Sequence, residues 1–262
     1  MRKTFIGINT LTAVEQPVYA SHLNLMYRLG KHYPDDKFGL FTPRRMSIDR
    51  MRNQLAKLAI ESDYDYIAFI DDDVIVPSDM FDKFFAADCD IIAGWTIIRG
   101  YPYENMFFEF TADHNLTTNK DQTRDGKIVD VAAIGFSTAL IKVDLLRKVP
   151  PPWFVTGPTN TEDIYFCLKA KQYVPDVTIK VDKSIETMHI MGPEGIAPWN
   201  VDDFKKYFEA QNPDVLKSPI PFLEKSGDRG EEYLEMVEGP LPAHHKILPM
   251  AEANIPFPEG KK

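Results

Sequence analysis

Three consecutive aspartates, Asp71, Asp72 and Asp73, are the residues of this chain whose type and spacing most directly suggest chemistry. They follow an apolar run over 66–70, which predicts a strand buried on both faces. Adjacent carboxylates repel one another unless a cation lies among them, and oxygen ligands suit Mg²⁺ or Mn²⁺. Because open α/β sheets bind ligands at the ends of such strands, the triplet predicts a metal site. A solvated acidic turn is the alternative interpretation.

Two further groups have side chains suited to catalysis. Glu162 and Asp163 follow Thr161, a favourable N-cap, at the start of a predicted helix, and His189 lies in a predicted strand. Each group has an ordinary explanation, because the helix dipole favours carboxylates in a first turn and a single His among apolar residues is usually part of a core. None of the three groups indicates a catalytic site by itself, whereas the three together suggest one.

The elements that must position these groups alternate over the first hundred residues. Apolar runs at 5–8, 39–41 and 66–70 predict buried strands, and 74–76 predicts a short extra one. The helices between them predict a β-α-β-α-β-α order and a parallel, doubly wound, Rossmann-like sheet. The first helix is expected to turn inward Leu23, Met26 and Leu29 or Leu25. Ser47 is a favourable N-cap for a helix over 48–60, with Arg52 and Asn53 on its flank and an inward stripe of Met51, Leu55, Leu58 and Ala59.

The second half has a different pattern. Apolar runs at 91–95, 106–110, 128–131 and 137–141 are separated by polar loops, which predicts an antiparallel, mixed sheet. Gly135 lies between two of these strands, where it allows either close approach of a ligand or a bulge. The helix after Thr161 is expected to turn inward Ile164, Leu168 and Tyr165. We predict one α/β domain over 1–210, with halves 1–95 and 96–210, and a Pro- and acid-rich arm over 211–262 that contains one short helix near 231–237.

Composition limits the classes of partner. The 262-residue chain has a formal charge of −9, which provides no broad basic surface for nucleic acid or anionic lipid. Its two cysteines, Cys89 and Cys167, lie far apart in apolar runs, so we predict free, buried thiols. The apolar segment at the N-terminus is too short for a signal-peptide core, and no later segment approaches the roughly 20 apolar residues of a membrane span. A cytoplasmic location is therefore expected.

Taken in order, these motifs resemble those of GT-A-fold, family-2-like glycosyltransferases. Asp71, Asp72 and Asp73 resemble the family's D-x-D motif, although Asp72 leaves its register ambiguous. Glu162 and Asp163 after Thr161 resemble its Glu-Asp motif. Two similar features complete the set, namely an Arg-Asn pair at Arg52 and Asn53 and a late metal ligand at His189. The likeness covers about residues 4–192 and implies a nucleotide-sugar half followed by an acceptor half, whereas the chain after residue 210 matches no family feature.

The resemblance implies a role for each motif. Mn²⁺ or Mg²⁺ would be held by Asp73 and His189 with Asp71 beside them, and it would neutralise the leaving nucleoside diphosphate. A UDP- or GDP-sugar donor would be contacted by Thr10, Arg52, Asn53, Asp71 and Asp72. Asp163 would be the general base that activates the acceptor hydroxyl, with Glu162 as the alternative. If the reaction retains configuration, the same pair would orient the acceptor or stabilise positive charge.

The acceptor and the class of protein leave several hypotheses open. Aromatic residues in the second half, together with Arg99, suit stacking on sugar rings or on bases: Trp95, Tyr101, Tyr103, Trp153 and Phe154. We expect a glycan or small saccharide, and the alternative acceptor is a hydroxymethylated base in phage-type DNA. Other hypotheses are a haloacid-dehalogenase-type phosphatase and a non-catalytic sugar-binding module. A nucleotidyltransferase is disfavoured because residues 8–11 lack a Gly-rich phosphate loop.

Overall fold

The computed structural model describes residues 1–10, 13–43, 46–157, 160–191 and 194–212, and the backbone of a strand at 248–249. The helices are α1 (Gln16–His32), α2 (Ile48–Glu61), α3 (Met80–Ala87), α4 (Val143–Lys148), α5 (Glu162–Tyr173) and α6 (Val201–Gln211). The strands of the first half are β1 (Lys3–Asn9), β2 (Lys37–Phe41), β3 (Tyr66–Asp71), β4 (Val74–Ile75) and β5 (Ile91–Trp95). The later strands are β6 (Phe107–Phe110), β7 (Leu116–Thr118), β8 (Ile128–Asp130), β9 (Ala133–Ile134), β10 (Thr138–Lys142), β11 (Ile179–Glu186), β12 (Met188–Met191), β13 (Glu194–Ile196) and β14 (Leu248–Pro249).

The main sheet has eight strands in the order β14-β2-β1-β3-β10-β5-β11-β8. Strands β2, β1 and β3 are parallel, as predicted, and β10 runs antiparallel to both of its neighbours, β3 and β5. There are also two three-stranded sheets among the described residues: β13-β12-β4 joins a strand of the first half to two of the second, and β7-β6-β9 belongs to the second half. The predicted α/β class with a mixed sheet is therefore confirmed.

Helices cover both faces of the main sheet, because the side chains of its central strands alternate between two cores. In β3, Ile67 and Phe69 join the core that contains α2, α4 and α5, whereas Ala68 and Ile70 join the core that contains α1 and α3. This two-sided burial explains why β3 is apolar without alternation. Its first strongly polar position after the run, Asp71, comes where the strand leaves the core.

The predicted inward face of α1 is confirmed for Leu25 and Leu29 but wrong for Leu23, and the predicted inward face of α5 is wrong. In α1 the inward stripe is Val18, His22, Leu25 and Leu29, and Leu23 is 51% exposed because it lies one position off that stripe. In α5 the buried residues are Glu162, Asp163, Phe166, Cys167 and Ala170, whereas Ile164, Tyr165 and Leu168 are only partly buried. The acidic start of α5 thus faces the interior.

Several smaller predictions can also be compared with the structure. Cys89 and Cys167 are buried and free, as predicted, and burial raises their thiol pKa values to about 11 and about 12. Gly135 packs against Met106, whose Cε would lie 2.5 Å from an added Cβ, so close packing with protein explains this glycine. No helix in the described residues is long and apolar enough to span a membrane. The predicted arm lies outside the described residues apart from residues 211–212 and β14.

Candidate functional site

The acidic triplet lies where the parallel strands β1 and β3 end beside each other. Asn9 and Asp71 are paired in the register of these strands, and Asn9 Nδ2 donates to Asp71 Oδ1 at 3.2 Å. The Asp71 backbone N–H donates to the Ser137 carbonyl at 2.9 Å, which joins the end of β3 to the segment before β10. Asp72 and Asp73 form the turn between β3 and β4. The triplet is thus at the carboxyl edge of the sheet, as the pattern predicted.

Helix α2 brings Arg52 beneath this edge. The helix can pack closely on β1 because Gly7 has no side chain, and a Cβ there would lie 2.5 Å from Leu55 Cδ1. The Arg52 side chain is 2% exposed, so the prediction that it lies on the helix flank is wrong. Its guanidinium donates to Asp71 Oδ1 at 3.2 Å, to the Phe136 carbonyl at 3.1 Å and to Glu162 Oε1. One buried cation therefore connects the acidic triplet with the start of α5.

The inward turn of α5 places two carboxylates around the same guanidinium. Asp163 Oδ2 lies 3.8 Å from Arg52 Nη1 and accepts the Phe136 N–H at 3.2 Å. Asp163 Oδ1 accepts the Ile164 N–H at 2.8 Å and the hydroxyl of Thr161. These bonds fix the orientation of the Asp163 carboxylate and leave part of the acceptor capacity of Oδ2 unused.

This cluster contains one cation and three carboxylates in a mostly buried position. Burial raises the pKa of Asp71, and repulsion from Asp73 adds to it, although Arg52 and Asn9 stabilise the charged form. Burial also raises the pKa of Glu162, with Arg52 opposing this change and Asp163 adding to it. Burial by itself would lower the pKa of Arg52, but the three carboxylates raise it. Three carboxylates thus share one buried guanidinium, an arrangement that favours the uptake of a further cation or a proton.

Replacing Glu162 by Gln should make the free energy of unfolding of the metal-free protein less sensitive to pH. Because folding raises the pKa of Glu162, its contribution to stability is complete below the ordinary carboxyl pKa of about 4.3 and is lost as the pH rises through the raised value. The stability of the variant relative to wild type should thus grow as the pH rises above about 4.3. Urea denaturation at a series of pH values measures this difference, and Glu61→Gln on the exposed end of α2 is the control. A difference that stays constant or shrinks over this range would contradict the expectation.

A second polar group forms where β12 pairs with β4. His189 is paired with Val74, and the Ile190 N–H donates to the Asp73 carbonyl at 2.9 Å, so His189 Nε2 lies 3.4 Å from Asp73 Oδ1. The other carboxylate oxygen of Asp73 contacts Arg99 Nη1 at 2.6 Å. Burial opposes ionisation of Asp73, but contacts with His189 and Arg99 lower its pKa below the usual range. His189 is therefore beside the triplet rather than being an isolated core histidine.

Three further residues were predicted to contact the sugar donor, namely Asn53, Thr10 and Asp72. Among the described residues, the Asn53 amide bonds to backbone groups alone, which are the Asp49 and Phe154 carbonyls and the Trp153 and Phe154 N–H groups. Asn53 is thus a structural connection between α2 and the segment before α5. Thr10 directly follows β1 and Asp72 lies in the acidic turn, both half-buried at the edge of the sheet. Their contact with a donor stays a prediction.

The expected aromatic acceptor surface is largely wrong. Trp95, Trp153 and Phe154 belong to the core, and Tyr103 is 5% exposed, so these rings have little surface available for stacking on a ligand. The Tyr101 ring stacks on Phe208 of α6 at 4.8 Å between centroids. The sequence pattern could not separate these residues from ligand-binding aromatics because core and stacking rings have the same apolar character.

Two residues that the sequence analysis did not assign to the donor site contact its carboxylates. Asn9 is 3% exposed, and its Oδ1 has no hydrogen-bond partner within the described residues. Its position as a polar residue at the end of β1 was a usable signal, since neighbouring parallel strands end at the same edge. The sequence predicts a role for Arg99 only at the acceptor, and no local pattern indicates its ion pair with Asp73.

Comparisons with known proteins support the fold. No protein-family model matches the chain, and no curated protein sequence matches it. The crystal structure of A197 from STIV is similar with a TM-score of 0.50 and 21% identity, covering 76% of this chain and 91% of that chain. HddC from Yersinia pseudotuberculosis complexed with GMP-PN has a TM-score of 0.40 and 11% identity, covering 79% of this chain and 100% of that chain. At these identities the likeness to A197 concerns the fold alone, and the TM-score to HddC is too low to support an argument.

Proposed function

We propose that the protein is a metal-dependent glycosyltransferase that moves a sugar from a nucleotide-sugar to an acceptor hydroxyl. The observation that carries this proposal is the contact of one buried guanidinium, that of Arg52, with both Asp71 and Glu162. A D-x-D-type triplet and a Glu-Asp pair, far apart in sequence, thereby belong to a single site. The resemblance of both motifs to those of GT-A-fold glycosyltransferases supports the same assignment.

The contact between Asp73 and His189 fits a metal ion of the Mn²⁺ or Mg²⁺ type. His189 Nδ1 lies 3.1 Å from the Ile97 carbonyl, which only accepts, so we assign the ring hydrogen to Nδ1. Nε2 then faces Asp73 Oδ1 at 3.4 Å, so this nitrogen and the carboxylate would be two ligands of a bound metal ion. No group of three or more His, Cys, Asp or Glu side chains in the described residues is arranged to hold a metal ion. Donor phosphates and water would complete the coordination of such an ion.

The proposed chemistry assigns a task to each residue around the site. A bound metal ion would supply positive charge at the leaving diphosphate. Asp163 would accept the proton of the acceptor hydroxyl, and its bonds to Phe136 and Ile164 would keep the carboxylate oriented for that transfer. Arg52 would hold the two acidic motifs together. The unsatisfied Oδ1 of Asn9 would accept a hydrogen bond from a donor hydroxyl, such as one on ribose.

Asp73→Asn should remove metal-dependent turnover and weaken binding of Mn²⁺ together with nucleoside diphosphate. The amide removes the negative charge on which metal coordination depends, while the shape of the side chain is nearly unchanged. Titration calorimetry with Mn²⁺ and UDP or GDP measures binding, and release of nucleoside diphosphate measures turnover. The matched control is Asp79→Asn, whose carboxylate pairs with Lys83 at 3.1 Å just before α3. Undiminished turnover of the wild-type protein in excess chelator would refute metal dependence.

One assay panel distinguishes the proposed function from its alternatives. Radiolabelled UDP- and GDP-sugars are offered with a glycan pool and with hydroxymethylated duplex DNA, each with Mn²⁺ or Mg²⁺. Incorporation into glycans alone supports the expected acceptor, and incorporation into DNA alone supports the alternative acceptor. Hydrolysis of phosphomonoesters without sugar transfer indicates a phosphatase, and exchange of pyrophosphate into nucleoside triphosphate indicates a nucleotidyltransferase. Donor binding without any turnover would indicate a binding module and would contradict the proposal.

A further inference from the structure

Lys183 is a buried cation that none of the proposed chemistry uses. Its side chain is 1% exposed and lies in β11, where the pairing with β5 shifts register between Asp182 and Glu186. The ammonium Nζ lies 3.0 Å from Asp121 Oδ2 and 3.5 Å from Asp125 Oδ1. It also lies 5.0 Å from the centroid of the Trp95 ring, within cation–π distance. A fully buried lysine normally requires such partners.

Both carboxylates belong to one loop, 119–127, in which side-chain oxygens accept hydrogen bonds from backbone N–H groups of the same loop. Asn119 Oδ1 accepts the Asp121 N–H at 2.8 Å, and Asp121 Oδ1 accepts the Thr123 N–H at 2.9 Å. Asp125 Oδ1 accepts the Lys127 N–H at 3.2 Å, and Gly126 has a φ of +66°. In each case the side chain accepts the N–H of the residue two positions later, which forms an Asx turn. These turns bring the carboxylates of Asp121 and Asp125 to one point. The Lys183 ammonium is at that point.

The spacing of this loop matches the first part of a calcium-binding loop. Side chains at positions 1, 3 and 5 followed by Gly at position 6 describe calcium loops, and here they are Asp121, Thr123, Asp125 and Gly126. The distances of 3.0 and 3.5 Å are those of an ammonium, because calcium lies 2.3–2.6 Å from its oxygen ligands. We propose that Lys183 supplies the resident cation of a loop that would otherwise require a divalent metal ion.

The consequence of this arrangement is a metal-independent anchor for neighbouring segments. Asn105 Nδ2 donates to the Asn119 and Asp121 carbonyls at 2.7 and 3.1 Å, and Asn105 is completely buried. Gln122 links the same loop to the Tyr103 carbonyl at 3.0 Å and to Lys205 of α6 at 2.7 Å. Lys183 therefore positions the 103–105 segment and α6 through the loop. Its role does not depend on the proposed transferase activity.

Lys183→Ala should convert the loop into a divalent-cation site. Without the ammonium, Asp121 and Asp125 repel each other, so the melting temperature should fall. Millimolar Ca²⁺ should then raise it by at least about 4 °C, whereas wild-type protein should not respond. Tb³⁺ provides an independent readout, because the indole of Trp95 is close enough to sensitise its luminescence at this site. The matched control is Lys180→Ala in the same strand, which removes only a partly exposed pair with Asp130 at 3.6 Å and should show neither response.

Additional variants make the test decisive. Lys183→Ala combined with Asp125→Asn should lose the Ca²⁺ response, and Lys183→Arg should remain insensitive to Ca²⁺ like the wild type. If Lys183→Ala does not fold in either condition, the triple variant Lys183→Met, Asp121→Asn, Asp125→Asn is expected to fold because it removes the uncompensated carboxylates. Failure of that variant to fold would overturn the proposal. So would a folded Lys183→Ala protein with no response to Ca²⁺ and no sensitised Tb³⁺ luminescence.

Discussion

Arg52→Met is expected to lower the free energy of unfolding by about 3–5 kcal/mol, the range for removing one partner of a buried ion pair. Methionine fills much of the same space against the rings of Phe69 and Phe136 but leaves Asp71, Glu162 and Asp163 without their shared cation. These carboxylates must then be protonated or separated for the protein to fold. Urea denaturation monitored by circular dichroism measures the change.

Two comparisons isolate the electrostatic origin of this loss. Arg147→Met removes surface pairs with Asp144 at 2.6 Å and with Asp63 at 3.6 Å, and the loss there should stay below about 1 kcal/mol. Adding Asp71→Asn and Glu162→Gln to Arg52→Met should recover part of the stability. Two of the three carboxylates that lost their cation are then replaced by neutral amides. A loss below about 1 kcal/mol for Arg52→Met would show that the cluster is not held by this guanidinium.

Asp163→Asn is expected to lower kcat for sugar transfer at least about 100-fold, which is the minimum contribution of a positioned general base. The amide cannot accept the proton of an acceptor hydroxyl, but it has nearly the same shape as the carboxylate. Donor affinity should change little, because the proposed metal contacts are made by Asp73 and His189. Initial rates at saturating donor and acceptor measure kcat, and titration of the donor with Mn²⁺ measures affinity separately.

The neighbouring Glu162→Gln variant is the control for this assignment. Its carboxylate bonds to Arg52 and to the Thr156 hydroxyl, the latter at 3.4 Å, so we expect a smaller loss of kcat. A severe loss in Glu162→Gln with little change in Asp163→Asn would assign the base to Glu162. Circular dichroism must show that each variant is folded, because Asp163 also accepts the backbone N–H groups of Phe136 and Ile164.

The sequence by itself determined those structural features that depend on residues adjacent in the chain. The apolar run before Asp71 encodes a strand buried on both faces, and the polar triplet marks its end, because burial and repulsion act on adjacent positions. Thr161 likewise marks the start of α5 at Glu162. The parallel first half and mixed second half follow from the order of such elements.

Only the tertiary structure decided which side chains share a site. The inward face of α5 could not be obtained from its pattern, because carboxylates count as polar until a buried cation is known, and Arg52 is 110 residues away from Glu162. Pairing of β12 with β4 similarly brings His189 to Asp73, and Lys183 reaches its loop across 62 residues. Charge compensation across such separations depends on three-dimensional distance, which the spacing of residues along the chain does not specify.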